Sequence, residues 1–168
     1  MIPMLEPMVG EIRQEAAITK RVLERIPQDK LSWRPHPKSM SLGQLGLHIA
    51  TIPGAISKLA QRDEFDVAEA DFNPPAPADT AEILAALEAS VHAAEQYLCG
   101  ISESEAIGNW RLSFKGKEAF SVPRVSMLRS IMLNHWYHHR GQLSVYLRFL
   151  EVPVPVIYGR SADESPFA

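Results

Sequence analysis

The chain has 168 residues and a mass of 18.7 kDa, enough for one domain (1–168) with a core of its own. Hydrophobic residues make up 46% and charged residues 22%, the balance of an ordinary globular protein rather than a disordered one. A formal charge of −3 with no basic run argues against binding nucleic acid through its phosphates, and a single cysteine, Cys99, excludes an internal disulfide framework.

The opening Met1-Ile-Pro-Met-Leu-Glu-Pro-Met8 has neither the basic start nor the apolar run of a signal peptide. No stretch approaches the roughly 18 apolar residues of a membrane span. The expectation is a cytoplasmic protein with no membrane partner.

Residues 5–26 read as a first helix, with Met8, Ile12, Ala16, Leu23 and Ile26 in its apolar stripe and Pro27 as its end. The connection from Gln28 to Pro37 is rich in turn formers and places His36 in a surface loop. Ser41-Leu-Gly-Gln44 has the form of a capping box and opens a second helix over 41–61. Leu42, Leu45, Ile49, Ile52, Ile56 and Leu59 share one arc of it, and His48 falls inside that arc. Pro53 should bend or interrupt this helix near His48. Residues 63–79 read as a long, acidic, proline-rich connection.

A third helix spans 79–99, opened by Asp79 or Thr80 and closed near Gly100; its His92 sits among small residues and reads as partly exposed. Trp110–Phe114 and Ala119–Val122 flank Lys115-Gly-Lys-Glu118, the pattern of a short hairpin. Pro123 suits the first turn of a fourth helix over 123–150. Beyond it, Val152-Pro-Val-Pro-Val-Ile-Tyr-Gly159 reads as an extended arm lying on the bundle or on a partner. The fold class expected is all-α, a four-helix bundle with that hairpin and arm as additions.

At about 100° per residue, Leu128, Ile131, Met132, Leu143, Tyr146, Leu147, Phe149 and Leu150 form the apolar arc of the fourth helix. Tyr137, Arg140, Ser144 and Arg148 fall opposite. His135 and His139 lie near the middle of the apolar arc and His138 at its edge. Imidazoles aimed into a core need a partner. A shared metal ion satisfies two at i and i+4 together, and hydrogen bonds to a carbonyl or water are the alternative.

Two blocks, Ser41-Leu-Gly-Gln-Leu-Gly-Leu-His48 and His135-x-x-x-His139-Arg-Gly-Gln-Leu-Ser-Val-Tyr-Leu147, resemble the DinB family of DNA-damage-inducible, YfiT-like helical-bundle metalloproteins. The run Val152-Pro-Val-Pro155 with Tyr158-Gly and Ser161-Ala-Asp-Glu164 is similar to one branch of it. Glu151 and Arg160 depart from that pattern, where Gly and Pro are expected. The resemblance implies up-down-down-up topology, frequent dimers, and His48, His135 and His139 as ligands of one divalent transition metal, zinc or nickel. It also implies an enzyme of the thiol-dependent S-transferase kind acting on a small-molecule substrate with a low-molecular-weight thiol. A metal-dependent hydrolase or a non-catalytic metal- or ligand-binding bundle is the alternative. Without the resemblance His138 competes for the site, although the helical arc favours His139. No acidic residue lies within a helical turn of the three histidines, so the local base of an HExxH site is missing. A homodimer is expected, because Ile131, Val145 and Phe149 on one flank of the fourth helix and the apolar arm need cover.

Overall fold

The structure is a computed structural model that describes residues 1–71 and 73–167. Its first helix, α1, spans Glu6–Leu23 and buries Met8, Val9, Ile12, Val22 and Leu23. Helix α2, Leu42–Leu59, opens on the predicted capping box: the Gln44 backbone N–H donates to Ser41 Oγ at 3.2 Å, and the Ser41 N–H donates to Gln44 Oε1 at 3.0 Å. Such a cap stabilises a helix end by about 1 kcal/mol. Helix α3, Thr80–Gly100, starts on Asp79, whose carboxylate accepts from the Glu82 N–H at 2.8 Å. Each of the three helices lies within a few residues of its sequence-based span.

Pro53 does not interrupt α2, which runs unbroken through it. A proline lacks the N–H that would bond the carbonyl four residues back, here that of Ile49, and other hydrogen bonds flank this gap. Thr51 Oγ1 donates to the Leu47 carbonyl at 3.0 Å, and the Gly54 N–H donates across to Ser90 Oγ on α3 at 2.7 Å. A Cβ at Gly54 would stand 3.0 Å from Ser90 Cα, so glycine lets α2 and α3 approach closely here.

The expectation of a purely helical protein is corrected by a three-stranded mixed sheet, in the order β1–β2–β3. The hairpin of β2 (Asn109–Phe114) and β3 (Lys117–Pro123) forms as predicted. Lys115 and Gly116 make its two-residue turn with φ of 52° and 75°, the left-handed pair that matches strand twist. Strand β1 (Glu64–Asp66) lies in the acidic connection and runs parallel to β2. Its role is visible at Asp66, whose carboxylate accepts the Lys115 and Gly116 N–H groups at 2.9 and 2.7 Å and so caps the turn. Those backbone donors, with the Ala68 N–H first among them, hold the Asp66 carboxyl below the usual carboxylate range.

A short helix α4, Glu103–Ile107, leads from α3 into the sheet. The sheet is tied to the bundle by Arg124, buried at the start of α5 (Arg124–Met127). Its guanidinium donates to the carbonyls of Ala60 at 2.7 Å and Glu105 at 2.6 Å, and to Asp63 at 2.7 Å. One side chain thus satisfies the ends of two helices that would otherwise present orphan carbonyls.

The fourth predicted helix is one rod with a defect. Between α5 and α6 (Asn134–Phe149), residues Leu128–Leu133 form a π-helical turn. That turn admits one extra residue, so everything after it is rotated by about 100° from the regular-helix reading. The buried residues of α6 are accordingly Trp136, Arg140, Leu143 and Leu147. Arg140, expected on the solvent side, is 1% exposed, and Phe149, read as part of an apolar flank that needs cover, is 67% exposed. Helix α2 packs between α3 and α6, and α1 also contacts both α3 and α6.

The segment 152–167 folds back on its own chain. Asp163 pairs with Arg148 at 2.6 Å, and Glu164 pairs with Arg21 at 2.5 Å and Arg25 at 2.8 Å. At its start Glu151 has φ of 57°, a left-handed conformation that favours glycine, the residue the family pattern expects there. No helix among the described residues is long and apolar enough to cross a membrane.

Candidate metal centre

Three of the six histidines meet. His48 leaves α2 two turns after its cap, and His135 and His139 leave α6 one turn apart, facing α2. The π turn sets the depth of the α6 pair: it turns His135 and His139 from the middle of the apolar arc to its flank, where both are half-buried, as His48 is on α2. His139 Nε2 stands 2.7 Å from His135 Nε2, which is 3.4 Å from His48 Nε2. One ring nitrogen from each lies within 4.8 Å of the others, so the group could hold a metal ion. Among the described residues no carboxylate or thiolate joins it. His138 is exposed beside His139, and His92 and His36 are exposed elsewhere.

The electrostatics suit a cation. Burial pulls the His48 imidazole down to about 4, and the nearby His139 and His135 rings reinforce the shift. His135 is likewise pulled down to about 4 by burial, and His139 is lowered by burial too. All three rings are therefore neutral at pH 7, the state in which imidazole binds metal. A proton fills only one of the gaps between converging nitrogens, whereas a divalent ion satisfies all three lone pairs at once.

In the sequence Gln44 stands one helical turn before His48 and Gln142 one turn after His138, so either could reach the rim of the site. Gln142 Oε1 lies 2.6 Å from His139 Nδ1, one helical turn along α6. The signal was its i+3 spacing from His139, which many helix-surface glutamines share. Gln44 is committed elsewhere: beyond the capping box, its Nε2 donates to the Pro74 carbonyl at 2.9 Å. One outcome unforeseen in the sequence is a buried ion pair on the α1-facing side of α6. Arg140 Nη2 meets Glu15 Oε2 at 2.5 Å and also donates to the Tyr158 hydroxyl, while Nη1 donates to Thr19 Oγ1 at 3.0 Å.

Comparison with known proteins agrees with this architecture. The protein is 25% identical over 150 residues to the uncharacterized protein YrdA of Bacillus subtilis (strain 168), covering 89% of this chain and 85% of that protein. A DinB-like protein of B. subtilis solved by crystallography superposes with a TM-score of 0.69 at 18% identity, covering 93% of this chain and all of that one. One from Bacillus cereus ATCC 10987 gives a TM-score of 0.62 at 22% identity, over 86% of this chain and 91% of that one. At those identities the crystal structures establish the fold. The DinB family model matches residues 1–166, essentially the whole chain. With its bundle, small sheet and convergent histidines, the protein belongs to the DinB family.

Proposed function

We propose that His48, His135 and His139 bind one divalent transition metal, zinc or nickel, and that the site catalyses a thiol-dependent S-transfer on a small-molecule substrate. The observation that carries this reading is the convergence of three neutral Nε2 atoms with no fourth protein ligand among the described residues. Three protein ligands leave coordination positions open, as in catalytic zinc sites. The rings are half-buried rather than sealed, which supports access for a substrate. A divalent ion held there would lower the pKa of a thiol or water and supply a nucleophile at neutral pH. In the transfer, the thiol gives up its proton and its sulfur bonds to an electrophilic carbon of the acceptor. The acceptor's leaving group departs with the electrons of the broken bond and takes up a proton. The three imidazoles would hold the ion that positions the nucleophile, and the lack of a carboxylate base beside them among the described residues favours transfer over base-assisted hydrolysis.

The decisive experiment loads the purified protein with zinc or nickel and assays low-molecular-weight thiols against electrophilic acceptors. Turnover that disappears in His135→Ala supports the proposal. Hydrolysis of ester or amide substrates without thiol dependence would move the assignment to a hydrolase, and metal binding without any turnover would make the bundle a binding protein.

Val145 and Phe149, at 53% and 67% exposure, remain an uncovered apolar flank of α6 and support a homodimer. A concentration-independent mass of 18.7 kDa by light scattering would sink that part of the proposal.

A further inference from the structure

We infer that Gln142 is a positioning residue: it holds His139 in the tautomer that carries its proton on Nδ1 and leaves Nε2 as a lone pair aimed at His135 and His48. The metal-affinity part of this inference rests on the three-histidine reading above, and the tautomer part does not.

The argument starts from the donor inventory. A neutral imidazole has one N–H and one bare nitrogen, and a carboxamide oxygen can only accept. Gln142 Oε1 sits 2.6 Å from His139 Nδ1, so the proton of the neutral ring belongs on Nδ1. The other nitrogen is then the one standing 2.7 Å from His135 Nε2. The two contacts lie on opposite ends of one ring and therefore fix its rotation as well as its tautomer. Gln142 itself is exposed on α6 and packs in no core, which leaves this contact as its one described side-chain hydrogen bond. Carbonyl and carboxylate oxygens commonly orient histidine ligands in this way, and losing one typically costs tenfold to a hundredfold in metal affinity.

The test uses Gln142→Ala, which removes the acceptor, and Gln142→Glu, which keeps one. Gln142 is on the surface, and circular dichroism verifies that each variant folds. Long-range proton–nitrogen NMR on the metal-free protein at pH 7.5 reads the tautomer directly. Wild type and Gln142→Glu should show His139 protonated on Nδ1, and Gln142→Ala should show a mixture or the Nε2–H form. Chelator competition with zinc should then give a Kd about ten- to a hundredfold weaker for Gln142→Ala and within a few-fold of wild type for Gln142→Glu. An unchanged tautomer in Gln142→Ala overturns the inference, and so does a zinc affinity equal to wild type while His139→Ala loses zinc. If wild type binds zinc no better than His139→Ala but the tautomers behave as stated, the metal reading fails and the positioning role stands.

Discussion

Helix α6 carries polar groups against two neighbours, and the two neighbours receive them differently. Toward α1, Arg140 is buried with every direction answered: Glu15 opposes its charge, Thr19 and the Glu15 carbonyl accept from it, and Tyr137 and Tyr158 rings stand 5.3 and 5.0 Å from its guanidinium carbon. Toward α2, three histidines are only half-buried, yet they point their nitrogens at one another with no opposing charge. The first cluster is complete within the chain and reads as structure. The second is a centre of nitrogens that could hold an ion, and that difference separates a candidate site from a buried ion pair.

The largest effect expected from breaking this contrast is on the closed cluster. Arg140→Met leaves Glu15 buried without its partner and should cost about 3–5 kcal/mol in urea unfolding. Adding Glu15→Leu should recover most of that loss, because an apolar pair removes the stranded charge. A double variant as unstable as the single one would show that the pair contributes more than mutual neutralisation.

The open cluster should instead respond to what is added. Zinc at a hundred times its Kd should raise the unfolding free energy by about 2.7 kcal/mol, and metal analysis should find the ion lost in His48→Ala, His135→Ala and His139→Ala. His138→Ala and His92→Ala should retain it. If His138→Ala strips the metal while His139→Ala does not, the geometry of the cluster has been misassigned.

Acid should sharpen the same contrast in the metal-free protein. His48 and His135 take up protons near 6.5 when unfolded but only near 4 when folded. Between those pH values the unfolded chain binds more protons, so stability falls as the pH drops through that window. Partial solvent exposure of the rings keeps the loss below the full linkage limit. The urea midpoint should drop from pH 7 to pH 4.5 more steeply in wild type than in His48→Ala/His135→Ala, and equal slopes would contradict the cause assigned to the shifts.

The smallest expected effect belongs to Tyr158→Phe, which removes the hydroxyl that donates to Glu15 Oε2 at 3.0 Å. It should cost about 1 kcal/mol by thermal unfolding and leave zinc affinity unchanged.

The parts legible in the sequence were those specified by neighbours along the chain. The Ser41/Gln44 box, the Asp79 cap and the Lys115-Gly116 turn all formed where their residues predicted. What escaped was specified from a distance. Glu64-Phe-Asp66 has the composition of a linker and becomes a strand only because β2 lies alongside and its hairpin turn needs a cap. The π turn has no sequence signature comparable to a cap, yet it rotates α6 enough to bury Arg140, which the regular helix places on the solvent side. His135 and His139 tolerated the same rotation because two residues a turn apart stay together on whichever face they occupy, and His48 lies on α2, outside the rotated helix.

The arrangement around Arg140 also bears on how the chain matures on the ribosome. Arg140 and Tyr158 are 125 and 143 residues from Glu15, and His135 is 87 residues from His48. At about 5–20 residues per second, α1 waits on the order of ten seconds for the cation that neutralises its inward carboxylate. During that wait, docking α1 in its final place would strand a charge, so the nascent helix has reason to stay loose. Only when α6 and the segment after it have emerged can both polar clusters close, and a chain cut short before α6 can assemble neither.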